Sequence, residues 1–219
     1  MDTIETCRPV HYAVQELRHL MEDHAAHARN GILFICHSPG GLVARKYPET
    51  WPTPVRSLIT MATPHHSTSM ARWPVYVSPL TSLLYQVLKG FSKGQIDLVL
   101  ERVLGFLSSS GLRELLPESH YYSGLKDSKQ GGTRYISIGD TNPDLLKPVL
   151  PSLPELLSRV VPDIIVPAEM REGYGDGLVR TASSRLSYSN EHRNFPVNHA
   201  SVLFDRAVRH YIVKSAASC

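Results

Sequence analysis

The sequence predicts an α/β protein built on a largely parallel sheet, and three observations carry that expectation. Short apolar, β-prone runs occur at residues 32–36, 55–60 and 134–139. Stretches with helical spacing separate or flank them. Each run ends in a turn signal: His-Ser-Pro-Gly-Gly after the first, Ala-Thr-Pro-His-His after the second, Asp-Thr-Asn-Pro after the third. Strands alternating with helices favour parallel pairing through helical crossovers.

Taken in order, residues 10–30 place Val10, Val14, Leu17 and Met21 on one face, which predicts an amphipathic helix closing at Gly31. His24 and His27 near its end have no third partner and suit a solvated helix terminus better than a metal site. Residues 31–45, GILFICHSPGGLVAR, then read as strand, tight turn and helix. A fourth strand is expected at 158–166 around Ile164, Ile165 and Val166, weakened by Pro162. Residues 200–216 read as a closing helix. Between Ser67 and Ser128 no strand is evident. Residues 80–88 and 96–107 predict short apolar helices, expected to form a cap over a substrate site within one domain spanning residues 1–219.

Length and composition narrow the function classes. At 219 residues with a net charge of +3, the chain is long enough for a sizeable core and carries no run of basic residues. Nucleic acid is therefore not an expected partner. Cys7, Cys36 and Cys219 are too few and too widely spaced for a disulfide framework. No signal-peptide pattern and no apolar run of membrane-spanning length is present, so a soluble, cytoplasmic protein is expected.

The candidate chemistry centres on Ser38. A strand–turn–helix layout is the context of a nucleophile elbow, which lifts a serine hydroxyl out of the sheet. Gly40 and Gly41 would let the helix approach the strand. Cys36 stands where the usual pattern G-x-S-x-G has its first glycine, and a Gly-rich turn of this kind is also a way to bind phosphate. A serine needs a base and an orienting acid. Asp140 at the end of the third run and Asp176 in Gly-Tyr-Gly-Asp-Gly both qualify as acids; His199 in Pro-Val-Asn-His-Ala-Ser, with His192 as rival, qualifies as the base.

Four segments in this order, CHSPGGLVAR, VRSLITMATPH, GDGLVRTASS and NHAS, resemble the α/β-hydrolase superfamily. In particular they resemble triacylglycerol lipases of bacterial type and GPI inositol-deacylase-like serine esterases. LRELLPESHYYSGL followed by RYISIGD is similar to that group's connection into its next strand. The resemblance implies Ser38 as nucleophile, His199 as base and Asp176 rather than Asp140 as the acid. It implies hydrolysis of a lipid-like acyl ester through an acyl-enzyme, with no cofactor. Some relatives bind a structural calcium, for which no residues here match. Thioesterases and acyltransferases use the same triad.

Besides Cys36 in place of the glycine, two departures matter. Pro39 follows the nucleophile and has no N–H to give an oxyanion, leaving Gly40 N–H and the helix dipole as the nearest substitutes. In addition, only one helix precedes the elbow strand, whereas the superfamily places several strands there. The elbow strand is therefore expected to form an exposed apolar edge, which a homodimer or another partner would cover. The alternative function is a weak or inactive hydrolase-fold protein that binds a lipid or a protein.

Overall fold

A computed structural model describes residues 10–24, 31–51, 53–68, 110–116, 118–145 and 167–218. Helix α1 (Val10–Asp23) leads to strand β1 (Ile32–His37), helix α2 (Gly40–Thr50) and strand β2 (Val55–Met61). A 3-10 turn (Ser110–Leu115) and a short helix α3 (His120–Ser123) precede strand β3 (Arg134–Asp140). A second 3-10 turn (Ala168–Met170), helix α4 (Thr181–Ser184), strand β4 (Glu191–Phe195), a third 3-10 turn (Ser201–Leu203) and helix α5 (Arg206–Ala217) complete the described elements. Both the expected fourth run at 158–166 and the cap helices at 80–88 and 96–107 lie outside the described residues.

The four strands pair in the order β1-β2-β3-β4 and every pairing is parallel. Alternation distributes their side chains to two apolar layers. On one face Leu58 and Tyr135 pack with Ala44 of α2 and Leu186, while α1 contributes Val10, Ala13, Val14 and Leu17 against Leu42, Val43 and Tyr47. On the other face Ile59, Met61, Ile136 and Ile138 pack with Phe195, Val202 and Val208 of α5. Helices on both faces explain why β2 and β3 are almost wholly buried and read as continuous apolar runs.

β1 differs. Phe34 and Cys36 face the α2 side, but Leu33 and Ile35 face the side that α5 covers further along the sheet, and they are 38% and 49% exposed. Their exposure follows from β1 being the edge of the described sheet.

Two elements depart from the sequence expectation. Among the described residues β4 (Glu-His-Arg-Asn-Phe) pairs with β3 alone and buries only Phe195, so it shows no apolar period and the sequence does not predict it as a strand. Residues 200–216 do not form one helix. Asp205 Oδ1 accepts from Ala207 N at 2.8 Å and Val208 N at 3.0 Å, capping a helix that starts at Arg206. The preceding Ser201–Leu203 is a separate 3-10 turn.

Candidate active site

Parallel strands bring their carboxyl ends to one edge of the sheet, where the following loops can converge. Ser38 follows β1 directly, Thr63 lies just after β2, Asp140 ends β3, and His199 lies just after β4. Ser38 holds φ 52°, the left-handed region that costs a non-glycine residue strain. Its backbone is secured on every side. Ser38 N donates to Met61 O at 2.9 Å, while Ser38 O accepts from Gly41 N at 3.1 Å and Thr63 Oγ1 at 2.9 Å. Pro39 follows at φ −60° and ψ −19° as the cap of α2, a conformation its ring already favours.

Of the two glycines after Pro39, only Gly41 is pressed. A Cβ on Gly41 would overlap the Thr63 side chain, whereas one on Gly40 would meet nothing nearer than Cys36 Cβ at 4.0 Å. The same spacing explains why Cys36 is accommodated in place of glycine: the side chain lies opposite a residue that has none. Burial pushes its thiol up to about 12, so it stays protonated.

The Asp176 loop is built by its glycines. A Cβ on Gly175 would overlap the Glu169 backbone, and Gly177 holds φ 99° with Pro143 O at 2.9 Å from where its Cβ would sit. That turn aims the Leu178 and Val179 N–H groups at Asp176 Oδ1, at 2.9 and 2.7 Å. Its other oxygen, Oδ2, lies 2.8 Å from His199 Nδ1, and His199 Nε2 lies 2.8 Å from Ser38 Oγ. With the carboxylate as acceptor, Nδ1 carries the ring proton and Nε2 is free to accept from the serine hydroxyl. Asp176 and His199 are each 1% exposed. A hydroxyl, an imidazole and a carboxylate in series can activate the hydroxyl as a nucleophile.

The rival residues are placed elsewhere. Asp140 is buried, and neither carboxyl oxygen has a hydrogen-bond partner. Burial, then the neighbouring Asp176 and Asp205 carboxylates, push it well above the usual carboxylate range, so it is held neutral. His192 bonds Ser137 Oγ and Asn194 Oδ1 on the sheet edge and does not reach Ser38.

Three supporting residues were not singled out by sequence. Thr63 holds the Ser38 carbonyl. Asn198 Oδ1 accepts from Ala200 N at 3.1 Å and Ser201 N at 2.8 Å, and its Nδ2 donates to Asp144 O at 3.1 Å, fixing the turn that carries His199. An Asn just before a helical turn is a capping signal that the sequence does display. His37 Nε2 donates to His199 O at 2.8 Å. Among the described residues no cluster of His, Cys, Asp and Glu could hold a metal ion. No described helix is long and apolar enough to cross a membrane.

Comparison with known proteins gives this geometry a context. The family model described as PGAP1-like alpha/beta domain matches residues 4–122, more than half of the chain. None of the curated proteins searched matches. Phospholipase PlaB from Legionella pneumophila is similar in structure at a TM-score of 0.54 and 18% identity, over 85% of this chain and 36% of that one. A metagenomic carboxyl esterase is similar at a TM-score of 0.52 and 15% identity, over 89% of this chain and 52% of the other. A carboxylesterase of the thaumarchaeon Nitrososphaera gargenis gives a TM-score of 0.51 at 14% identity, over 97% and 73% of the two chains. The chain thus spans about a third of the phospholipase's length, and these likenesses establish a shared α/β-hydrolase fold.

Proposed function

The chain belongs to the PGAP1-like alpha/beta domain family, and from that premise we propose that it is a serine hydrolase of carboxylic esters, with Ser38 as nucleophile, His199 as general base and Asp176 as the orienting acid. The observation that carries this reading is the unbroken series Ser38 Oγ–His199 Nε2 and His199 Nδ1–Asp176 Oδ2, both at 2.8 Å, at a strained elbow.

In the proposed reaction Ser38 Oγ attacks the ester carbonyl carbon as His199 Nε2 takes the hydroxyl proton. The tetrahedral intermediate collapses, and His199 gives that proton to the departing alkoxide, which leaves as the alcohol. Water then attacks the acyl-enzyme with the proton again passing to His199, and the carboxylic acid and free Ser38 are restored. Asp176, held by two backbone N–H groups, keeps Nδ1 protonated throughout and stabilises the transient imidazolium. A lipid-like acyl ester is the proposed substrate class, since the esterase and phospholipase relatives share this fold.

Pro39 bears directly on the oxyanion step. It removes the backbone donor that normally meets the oxyanion, which costs about 10²–10³ in kcat. Gly40 N–H, next along α2, and the dipole of that helix are what remain on this side. The same observation favours the second reading, a hydrolase-fold protein of weak activity that binds its lipid without efficient turnover.

Hydrolysis of a short-chain p-nitrophenyl ester by the wild type beside Ser38→Ala tests the proposal. Turnover that Ser38→Ala abolishes is the expected result. Pro39→Ala, which supplies an N–H at the same backbone angles, is expected to raise kcat by about tenfold or more. Equal background rates from folded wild type and Ser38→Ala would overturn the enzymatic reading in favour of the binding one.

A further inference from the structure

We propose that His37 is a positioning residue, a neutral brace that fixes the backbone of His199 from the end of the strand that carries Ser38. The inference rests on the Ser38–His199–Asp176 reading and extends it to a residue outside that series.

His37 closes β1 and precedes Ser38. Its Nε2 lies 2.8 Å from His199 O, and the two ring centroids are 4.8 Å apart at an interplanar angle of 53°. A carbonyl oxygen can only accept, so His37 Nε2 must carry a proton. His199 is consequently tied at four points: its N–H to Asp176 O at 3.1 Å, its carbonyl to His37, Nδ1 to Asp176 Oδ2 and Nε2 to Ser38 Oγ. Two of these four ties come from adjacent residues of one chain segment. His37 therefore sets the spacing between the elbow and the loop bearing the base independently of the Ser38 Oγ hydrogen bond, which must break and re-form in every turnover.

The brace also has to be uncharged. His199 becomes an imidazolium when it takes the serine proton, and a second cation at ring-contact distance would oppose that step. Burial, and the repulsion of His199 beside it, push His37 down to about 3, and the ring is neutral under all ordinary conditions. A lysine or arginine at this position could donate to the same carbonyl but would bring the charge that a neutral imidazole avoids.

The test compares wild type, His37→Phe, which keeps a ring but has no donor, and His37→Gln, whose amide N–H replaces the donor. Ring 1H–15N NMR and ester kinetics are measured on all three. A displaced base costs about 10–100-fold in rate. His37→Phe is thus expected to lose that much kcat with KM changed less than about twofold, and His37→Gln to recover most of it. In the spectra the low-field Nδ1–H resonance of His199 should be sharp in wild type and His37→Gln and broadened in His37→Phe. Wild-type kcat in folded His37→Phe would overturn the inference while leaving the proposed function standing. So would a loss shared equally by kcat and KM that His37→Gln does not rescue. Should wild type show no ester turnover at all, the functional reading fails, and the spectra alone decide the brace: identical His199 resonances in the three proteins would refute it.

Discussion

Ser38 adopts a backbone angle that costs a non-glycine residue about 1–3 kcal/mol, and three hydrogen bonds, one to Met61 O and two from Gly41 N and Thr63 Oγ1, hold it there. Strain retained at the one residue whose hydroxyl meets His199 is the local signature of a site under constraint. The two candidate acids show how environment assigns different roles to one side-chain type. Asp176 receives two backbone N–H groups and faces His199, whereas Asp140 has no partner and is held protonated. Asp176→Asn reverses the donor sense at Nδ1 and is expected to lower kcat on the order of 10³–10⁴-fold. Asp140→Asn replaces a neutral acid with a neutral amide and should leave kcat within about threefold of wild type. Parallel ester kinetics on the two variants check both expectations; the opposite ranking would make Asp140 the working acid. Local sequence could not separate these aspartates, because both sit in turn-forming contexts beside an apolar stretch, Asp140 at the end of one and Asp176 just before another. What separates them is the fold of the Gly-Asp-Gly loop, where contacts with Glu169 and Pro143 leave no room for side chains at 175 and 177.

At the scale of elements, the close approach of α2 to β2 rests on one glycine. Gly41→Ala would drive a methyl into Thr63, the residue that holds Ser38 O, and is expected to cost about 1–3 kcal/mol in stability. Gly40→Ala has open space and, in a helix, should be neutral or stabilising by up to about 1 kcal/mol. Denaturant melts of the two variants check the contrast, and equal losses would contradict it. The sequence showed a pair of small residues after the turn but not which of them is pressed, since that depends on Thr63 from another strand. β1, β2 and β3 were legible as apolar runs: β2 and β3 because both of their faces are buried, and β1 although Leu33 and Ile35 on one of its faces are exposed. β4 was not, because as an edge strand it needs only Phe195 inside. The start of α5 was shifted because the helical spacing of Val202 and Leu203 continues across a 3-10 turn, while the true boundary is marked by the Asp205 cap.

At the scale of the whole molecule, a two-faced parallel sheet gathers its carboxyl-end loops into one site, and the exposed Leu33 and Ile35 mark the sheet edge where β1 has no described neighbour. The buried groups also set how stability responds to pH. His37 and His65 are neutral when folded: burial, with His199 beside it, pushes His37 down to about 3, and burial, followed by Arg45, His66 and His192, pushes His65 well below the usual histidine range. Below about 6.5 the unfolded chain binds protons that the folded chain refuses, so stability is lost as pH falls from there toward 3. Asp140 acts in the opposite sense. It keeps its proton when folded and gives it up when unfolded above about 3.9, so it costs stability as pH rises. Thermal melts should therefore show Tm falling as pH drops from 7 to 4. Asp140→Asn should melt above wild type at pH 8 and with it near pH 4; a Tm difference independent of pH would contradict the buried neutral acid. The central claim, that Ser38 is a nucleophile activated by His199, is tested most directly by reacting the folded protein with a fluorophosphonate and mapping the adduct by mass spectrometry. One phosphonyl group on the peptide bearing Ser38, formed by wild type and lost in His199→Gln, is the predicted result. A folded wild type that takes no label, or labels elsewhere, would contradict it.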